Sequence, residues 1–326
     1  MAEARSTVYI RTGSRLHFGL FDTHSPFGGV GVMIDQPQTT LRISPAAMFD
    51  AGTVQRDRLI EIARRFSQSH FAGQFDDDLP RCKIEVLSAA DPHFGLGSGT
   101  QLALATAAGL ASFFAVETTR SKLIQQIAQR GKRSAVGSIG FFTGGLIIED
   151  GSAEDYDAGS WWRRTELPAN WRFLLIRPPA NMLAISGEIE RHAFASLPPA
   201  CQSTRAELAQ LGKAIFDSAA AGNFARFAES ITRFNQLSGA LFAAQQGGCY
   251  NGPAVTELID HIAQAGATAY GQSSWGPTVF VVTESHQQAN HLVAQLSSRY
   301  SVAITQAKQT AVKVSKEYPT ELQKKK

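Results

Sequence analysis

Three observations predict an α+β chain in two halves. Strands and amphipathic helices are mixed along its length and joined by glycine-rich turns, the pattern of helices packed on antiparallel sheet. A polar stretch at 152–169 (SAEDYDAGSWWRRTELPA) interrupts that pattern and divides the chain into 1–160 and 161–326. The 326 residues are enough for two domains of about 150 residues each.

Composition bounds the function. Hydrophobic residues make up 44% and charged residues 18%, which is globular. The net charge is +3, and Lys324, Lys325 and Lys326 at the end of the chain account for three positive charges, so nucleic acid is not an expected partner. The three cysteines, Cys82, Cys201 and Cys249, lack metal-ligand spacing, and their odd number suits a reducing compartment. No apolar leader and no apolar run near 20 residues occur, so a cytoplasmic protein that does not enter a membrane is expected.

Residues 6–12 read as a first strand that leads into Arg15, Leu16, His17, Phe18 and Asp22. In an extended chain Arg15 and His17 share one face while Leu16 and Phe18 take the other, so a polar face can line a pocket. An ordinary strand with one wet side would read the same way. Glycine-rich and alternating strands follow at 28–35 and 39–44. A helix over 55–70 places Leu59, Ile62, Ala63 and Phe66 on one face and Arg58, Glu61, Arg64 and Arg65 outside. Asp76, Asp77 and Asp78 read as a surface turn. Cys82, Ile84 and Val86 alternate in a strand feeding the next turn.

That turn organises the chain. Gly95-Leu96-Gly97-Ser98-Gly99 opens an Ala/Leu-rich helix through Thr100 and Gln101. Glycines let backbone N–H groups converge, and the helix start adds unsatisfied N–H groups and a positive dipole end. Together they predict a site for a phosphate or another anion, where the plainer reading is a glycine-rich turn before a core helix. No Gly-Lys-Ser/Thr follows, so this is not a Walker A loop.

A helix with Leu123, Ile124 and Ile127 ends at Gly131. A second Gly/Ser region then carries Lys132, Arg133 and Ser134 beside small residues and runs to Gly144-Gly145. The second half resumes with a strand at 171–177. Helices are expected near 200–220, 222–246, 253–265 and 286–298. A third small-residue turn with Ser273 and Ser274 precedes a strand at 278–283, and a short strand is expected at 301–305.

Three separated turns, SRLHFG, PHFGLGSGT and GQSSWGPTVF, resemble the motif set of the GHMP kinase superfamily over about residues 15–312. The resemblance implies a ribosomal-protein S5-like N-terminal domain, a ferredoxin-like C-terminal domain and a site in the cleft between them. The superfamily's kinases carry Ser-Gly-x-Asp, with Asp as base, where this chain has Ser134-Ala135-Val136-Gly137. Loss of a base costs about 10²–10⁴-fold in rate, which argues against phosphoryl transfer.

SRLHFGL, GLGSGTQLALA and RGKRSAVGSIGFFTGGLIIEDG resemble the β-ribofuranosylaminobenzene 5′-phosphate synthase branch. This implies condensation of phosphoribosyl pyrophosphate with 4-aminobenzoate, or a 4-hydroxybenzoate relative, with loss of CO2 and pyrophosphate, in tetrahydromethanopterin biosynthesis. Mg²⁺ would accompany the pyrophosphate, and a homodimer is expected by analogy. On this reading Gly95, Leu96, Gly97, Ser98, Gly99, Thr100 and Gln101 hold the diphosphate. Arg15, or Lys132 with Arg133, takes the 5′-phosphate or the carboxylate. Asp22 or Glu149 binds Mg²⁺ or steers the amine, His17 acts in catalysis, Ser134 binds substrate, and Ser273 and Ser274 close the cleft. A small-molecule kinase and a silent ligand-binding homologue are the alternatives.

Overall fold

The computed structural model describes residues 5–75, 78–152, 155–178 and 187–317, with backbone alone at 187–191. Asp76, Asp77 and the lysine tail lie outside the described residues.

In chain order the elements are β1 (Thr7–Leu20), β2 (Gly29–Ser44), α1 (Arg56–His70), β3 (Lys83–Ser88), α2 (Ser98–Phe114), one π-helical turn (Lys122–Ile127), α3 (Val136–Thr143), β4 (Leu146–Glu149), β5 (Trp162–Thr165) and β6 (Arg172–Arg177). There follow α4 (Gly187–Ser196), α5 (Gln202–Ala220), α6 (Phe224–Ala240), α7 (Ala243–Gln246), α8 (Gly252–Gln264), β7 (Ala269–Gln272), β8 (Val279–Thr283), α9 (His286–Leu296), β9 (Ser301–Thr305) and β10 (Lys313–Glu317). The α+β expectation holds: one sheet runs β10-β1-β2-β4-β5 with β3 also on β2, and a second runs β7-β8-β6-β9. All the strand pairings are antiparallel.

The β1–β2 pair is the spine. Alternation buries Val8, Ile10, Leu16 and Phe18 completely, as the period of two requires. Register shifts between Thr12 and Ser14 and between His17 and Gly19 bend β1 through the region of the first motif. Such bulges re-aim side chains beside functional sites.

The two halves share a core. Leu16, Phe18, Val30 and Val32 of the first sheet pack with Phe173, Phe227, Phe234 and Phe280 of the second half. Asn235 Nδ2 on α6 donates to the Phe18 carbonyl at 2.6 Å, and Ser238 Oγ accepts the Leu20 amide at 2.8 Å. Helix α6 therefore locks the end of β1 to the second sheet.

The division at residue 160 does not coincide with the sheets. β5 lies beyond it yet pairs β4, and β10 returns from the C-terminal end to pair β1. Neither strand has a buried alternating face to announce it; β10 is exposed throughout. The long helix expected over 222–246 breaks after Ala240, so α6 and α7 are separate. Among the described residues no helix is long and apolar enough to cross a membrane.

Candidate active site

Helix α2 begins at a left-handed Gly97 (φ 68°) without any side-chain cap. The Gly97 carbonyl accepts the Thr100 and Gln101 amides at 3.0 and 3.1 Å. Glycine is required here, because a Cβ on Gly97 would stand 3.2 Å from Arg15 Cβ in an already left-handed backbone. Helix α3 also starts without a side-chain cap, at Ala135. A Cβ on its Gly137 would stand 3.7 Å from Arg15 Nε. Arg15 thus lies between two helix N-termini, a concentration of positive potential suited to an anion. Arg58 of α1 closes the other side of the loop: a Cβ on Gly99 would stand 3.1 Å from its Nη1.

The loop is pinned from both halves. The Arg15 amide donates to the Leu96 carbonyl at 2.9 Å. Arg177 of β6 pairs Asp91 at 3.0 Å and stacks 4.2 Å from the Phe94 ring centroid. Ser273 Oγ accepts the His17 amide at 3.1 Å and donates to the Gly95 carbonyl at 2.7 Å.

Beside this loop lies a cavity of about 550 Å³, within the usual range for small-molecule sites. Arg15, Lys132, Arg133 and Ser134 form its polar side, and Phe27, Phe194, Phe242 and Trp275 its aromatic side. The rings form one edge-to-face cluster: Phe194 meets Phe27 at 6.0 Å, Phe242 at 5.4 Å and Trp275 at 5.8 Å. The Arg133 guanidinium sits over Phe194, joining the two sides. A smaller pocket of about 380 Å³ lies across the Arg130–Ser134 loop and reaches Glu149 and Tyr156.

The cavity brings together Arg15, His17, Lys132, Arg133, Ser134 and Ser274 of the predicted residues. Gly95–Gln101 do not line it; they form the adjoining loop, and Arg15 spans both. Three assignments need correction. Gln101 is fully buried, its Oε1 accepting from Thr12 Oγ1 and its Nε2 donating to the Gly137 carbonyl, both at 2.9 Å. It ties β1 to α3 rather than meeting a ligand. Ser273 is also fully buried, and its hydroxyl is spent on His17 and Gly95. Leu96 is buried and contributes only its carbonyl.

A further correction concerns metal. Asp22 Oδ1 accepts the Thr23, His24 and Ala200 amides at 2.7, 3.2 and 2.9 Å, and Oδ2 faces Arg205 at 3.4 Å. Burial alone would raise this carboxyl, but those N–H donors and Arg205 outweigh it and hold it below the usual range. Asp22 anchors the chain at Ala200. Glu149 is buried, with Oε1 accepting the Ala135 amide at 3.1 Å and Oε2 the Gly151 amide at 2.9 Å. Among the described residues no three His, Cys, Asp or Glu side chains gather as a metal site. The two carboxylates do not fit the Mg²⁺ role assigned to them.

Burial instead pushes the Glu149 carboxyl up to about 7, against the hydrogen bonds from Ala135, Ser134 and Gly151. His17 is 4% exposed, and its Nε2 lies 2.9 Å from Ser134 Oγ. Burial, and then the neighbouring Arg15 charge, hold the imidazole well below its ordinary range, so it is neutral.

Arg58 and the aromatic side were not anticipated as site residues. Arg58 reads as one more outward charge on an amphipathic helix. Phe27, Phe194, Phe242 and Trp275 come from four distant segments and share no sequence signal.

Comparison with known proteins matches residues 56–144 to the GHMP kinases N terminal domain and 215–302 to the GHMP kinases C terminal family. Together these cover more than half of the chain. A curated relative, beta-ribofuranosylphenol 5′-phosphate synthase of Methanothermobacter thermautotrophicus, is 27% identical over 310 residues, covering 85% of this chain and 89% of that protein. The protein of the same name from Archaeoglobus fulgidus is 26% identical over 296 residues, covering 85% and 88%. Among solved structures, mevalonate pyrophosphate decarboxylase from Streptococcus pyogenes superposes with a TM-score of 0.67 at 13% identity, covering 95% of this chain and 99% of that one. Homoserine kinase from Cytophaga hutchinsonii gives 0.61 at 14% identity, covering 97% and 98%. These last two similarities speak to the fold alone.

Proposed function

Because the chain belongs to the GHMP kinase superfamily, and its curated relatives are named beta-ribofuranosylphenol 5′-phosphate synthase, we propose that it is a decarboxylating phosphoribosyl transferase. It condenses phosphoribosyl pyrophosphate with a para-substituted benzoate and releases CO2 and pyrophosphate. The word phenol in the relatives' name favours 4-hydroxybenzoate over 4-aminobenzoate as acceptor. The observation that carries this reading is a cavity lined by both cationic and aromatic side chains, next to two helix N-termini that share one arginine.

The chemistry follows from those parts. Diphosphate departs from the anomeric carbon and leaves an oxocarbenium-like centre. The start of α2, with Arg15 and Arg58, stabilises the leaving anion without reorganising. The acceptor ring lies among Phe194, Phe242 and Trp275, which exclude water and fix its plane. Its carboxylate faces Arg133 or Lys132. The ring carbon bearing the carboxylate attacks the anomeric carbon, and CO2 leaves as the ring regains aromaticity. Any Mg²⁺ would arrive with the diphosphate, and no step here runs through it.

The stretch Ser134-Ala135-Val136-Gly137 supplies no carboxylate for deprotonating an alcohol, so small-molecule phosphorylation is disfavoured. The test incubates the protein with phosphoribosyl pyrophosphate, Mg²⁺ and either benzoate labelled in its carboxyl group. Labelled CO2 that requires phosphoribosyl pyrophosphate supports the reading, and its rate with each benzoate names the acceptor. Absence of CO2 together with ATP consumption on a panel of alcohols would return the protein to the kinases.

A further inference from the structure

His17, Ser134 and Glu149 form a line running from the cavity into the protein. His17 lines the cavity while its Nε2 is held by Ser134 Oγ at 2.9 Å. Ser134 also hydrogen-bonds the Glu149 carboxyl, which is 2% exposed. Two backbone amides, Ala135 and Gly151, fix both Glu149 oxygens in place. No described residue is hydrogen-bonded to His17 Nδ1, so that nitrogen is the one available to a ligand.

The geometry points to a relay in which Glu149, acting through the Ser134 hydroxyl, sets the tautomer of His17 and so decides whether Nδ1 accepts a proton from the acceptor substrate or donates one to it. This rests on the proposed function for the identity of the substrate. Ser134 and Glu149 are positioning residues; His17 is the catalytic one.

The two directions of the chain follow from donor and acceptor counting. With Glu149 ionised, Ser134 donates to it and accepts Nε2–H, leaving a lone pair on Nδ1. With Glu149 protonated, the carboxyl donates to Ser134, Ser134 donates to Nε2, and Nδ1 carries the hydrogen. The acceptor's para O–H or N–H makes use of both. As the ring attacks, the para O–H or N–H bond breaks. Its proton goes to Nδ1, Nε2–H passes to Ser134, and the Ser134 proton passes to Glu149. The bonding pair becomes a C=O or C=N π bond. When CO2 leaves, its bonding pair restores the ring, and the para atom recovers its proton from Nδ1. No net proton is gained or lost.

The surroundings place the switch near neutrality. Glu149 is pushed up to about 7 by burial, with Asp150 adding to the rise. Tyr156 lies beside it, its hydroxyl donating to the Gly131 carbonyl at 3.2 Å, and burial followed by the Glu149 charge keeps that phenol protonated. From the loop, Arg130, Lys132 and Arg133 line the same pocket. From β1, Arg15 disfavours a doubly protonated His17, so the imidazole changes tautomer rather than charge.

The test is nitrogen NMR of the full-length protein with ¹⁵N-labelled histidine, recorded from pH 5 to 9 without substrate. His17 is identified among the 8 histidines by its loss in His17→Gln. In the wild type, Nδ1 is expected to pass from a protonated to an unprotonated shift as pH rises through about 7, with Nε2 doing the reverse. Glu149→Gln, which has no proton to exchange, should hold one tautomer at every pH. Ser134→Ala, which removes one hydroxyl, should abolish the pH dependence and keeps the test open if the Gln variant fails to fold. A wild-type tautomer indifferent to pH, or one that shifts identically in both variants, overturns the relay. Because no turnover is needed, failure of the relay is distinct from failure to release CO2.

Discussion

The Arg133 guanidinium lies 4.1 Å from the centroid of the Phe194 ring. The contact couples the cationic loop before α3 to a ring on α4, and on the proposed function this is where the substrate carboxylate is met. A cation over an aromatic face is worth about 0.5–2 kcal/mol. Phe194→Ala is therefore expected to raise KM for the benzoate roughly 2- to 30-fold, while KM for phosphoribosyl pyrophosphate changes little. Steady-state kinetics with each substrate varied in turn checks this. An equal rise in both constants would place Phe194 outside the acceptor subsite.

Arg15 and Arg58 flank the start of α2 but in different ways. Arg15 meets the N-termini of both α2 and α3, and it also reaches the cavity. Arg15→Ala should lower kcat/KM by about 10²–10³-fold, the usual loss when a preorganised anion-stabilising group is removed. Arg58→Ala removes one half-exposed cation and should cost about fivefold at most. Raising ionic strength should weaken the wild type more than Arg58→Ala.

Glu149 makes stability fall with pH. Its folded-state pKa of about 7 exceeds the ordinary 4.5, so between these values the folded chain binds more protons than the unfolded one. The stabilisation is fully present below pH 4.5 and is lost as pH rises through 7. The shift corresponds to roughly 3 kcal/mol. Thermal melts of Glu149→Gln and wild type from pH 5 to 8 should diverge steadily, with the variant gaining relative stability as pH rises. A constant difference in Tm would show that Glu149 does not titrate in this window.

Ser273 holds the three motifs together through one hydroxyl. Ser273→Ala leaves the buried His17 amide without its acceptor, at a cost of about 1–3 kcal/mol. Urea unfolding should show that loss, and KM for phosphoribosyl pyrophosphate should rise as the Gly95 loop is released from the C-terminal turn. Unchanged stability would mean that another acceptor takes over the amide.

Much of the fold is written locally. The period-3.6 faces of α1, α5 and α9 and the strands at β6 and β8 follow from side-chain pattern alone, because burial of one face needs nothing more. The glycine-rich start of α2 is legible because Gly95 and Gly97 adopt positive φ, which few other residues tolerate. Helix α3 was not legible. Gly137 and Gly140 are poor helix formers, and they are tolerated because of close packing, with Gly140 against Met33 and Gly137 beside Arg15.

The amino-acid order by itself specifies three small-residue turns, a glycine-opened helix start and the absence of a kinase-type carboxylate beside Ser134. Only the folded chain decides what the charged groups do. Asp22 and Glu149 look alike in one dimension, yet amide donors from Ala200 and from Ala135 with Gly151 commit each to the protein rather than to metal. The aromatic lining of the cavity arises when the β1–β2 loop, α4, the link between α6 and α7, and the 273–276 turn come together. Burial and hydrogen-bond partners come from such long-range packing, and they, not residue identity, set the charge and role of a side chain.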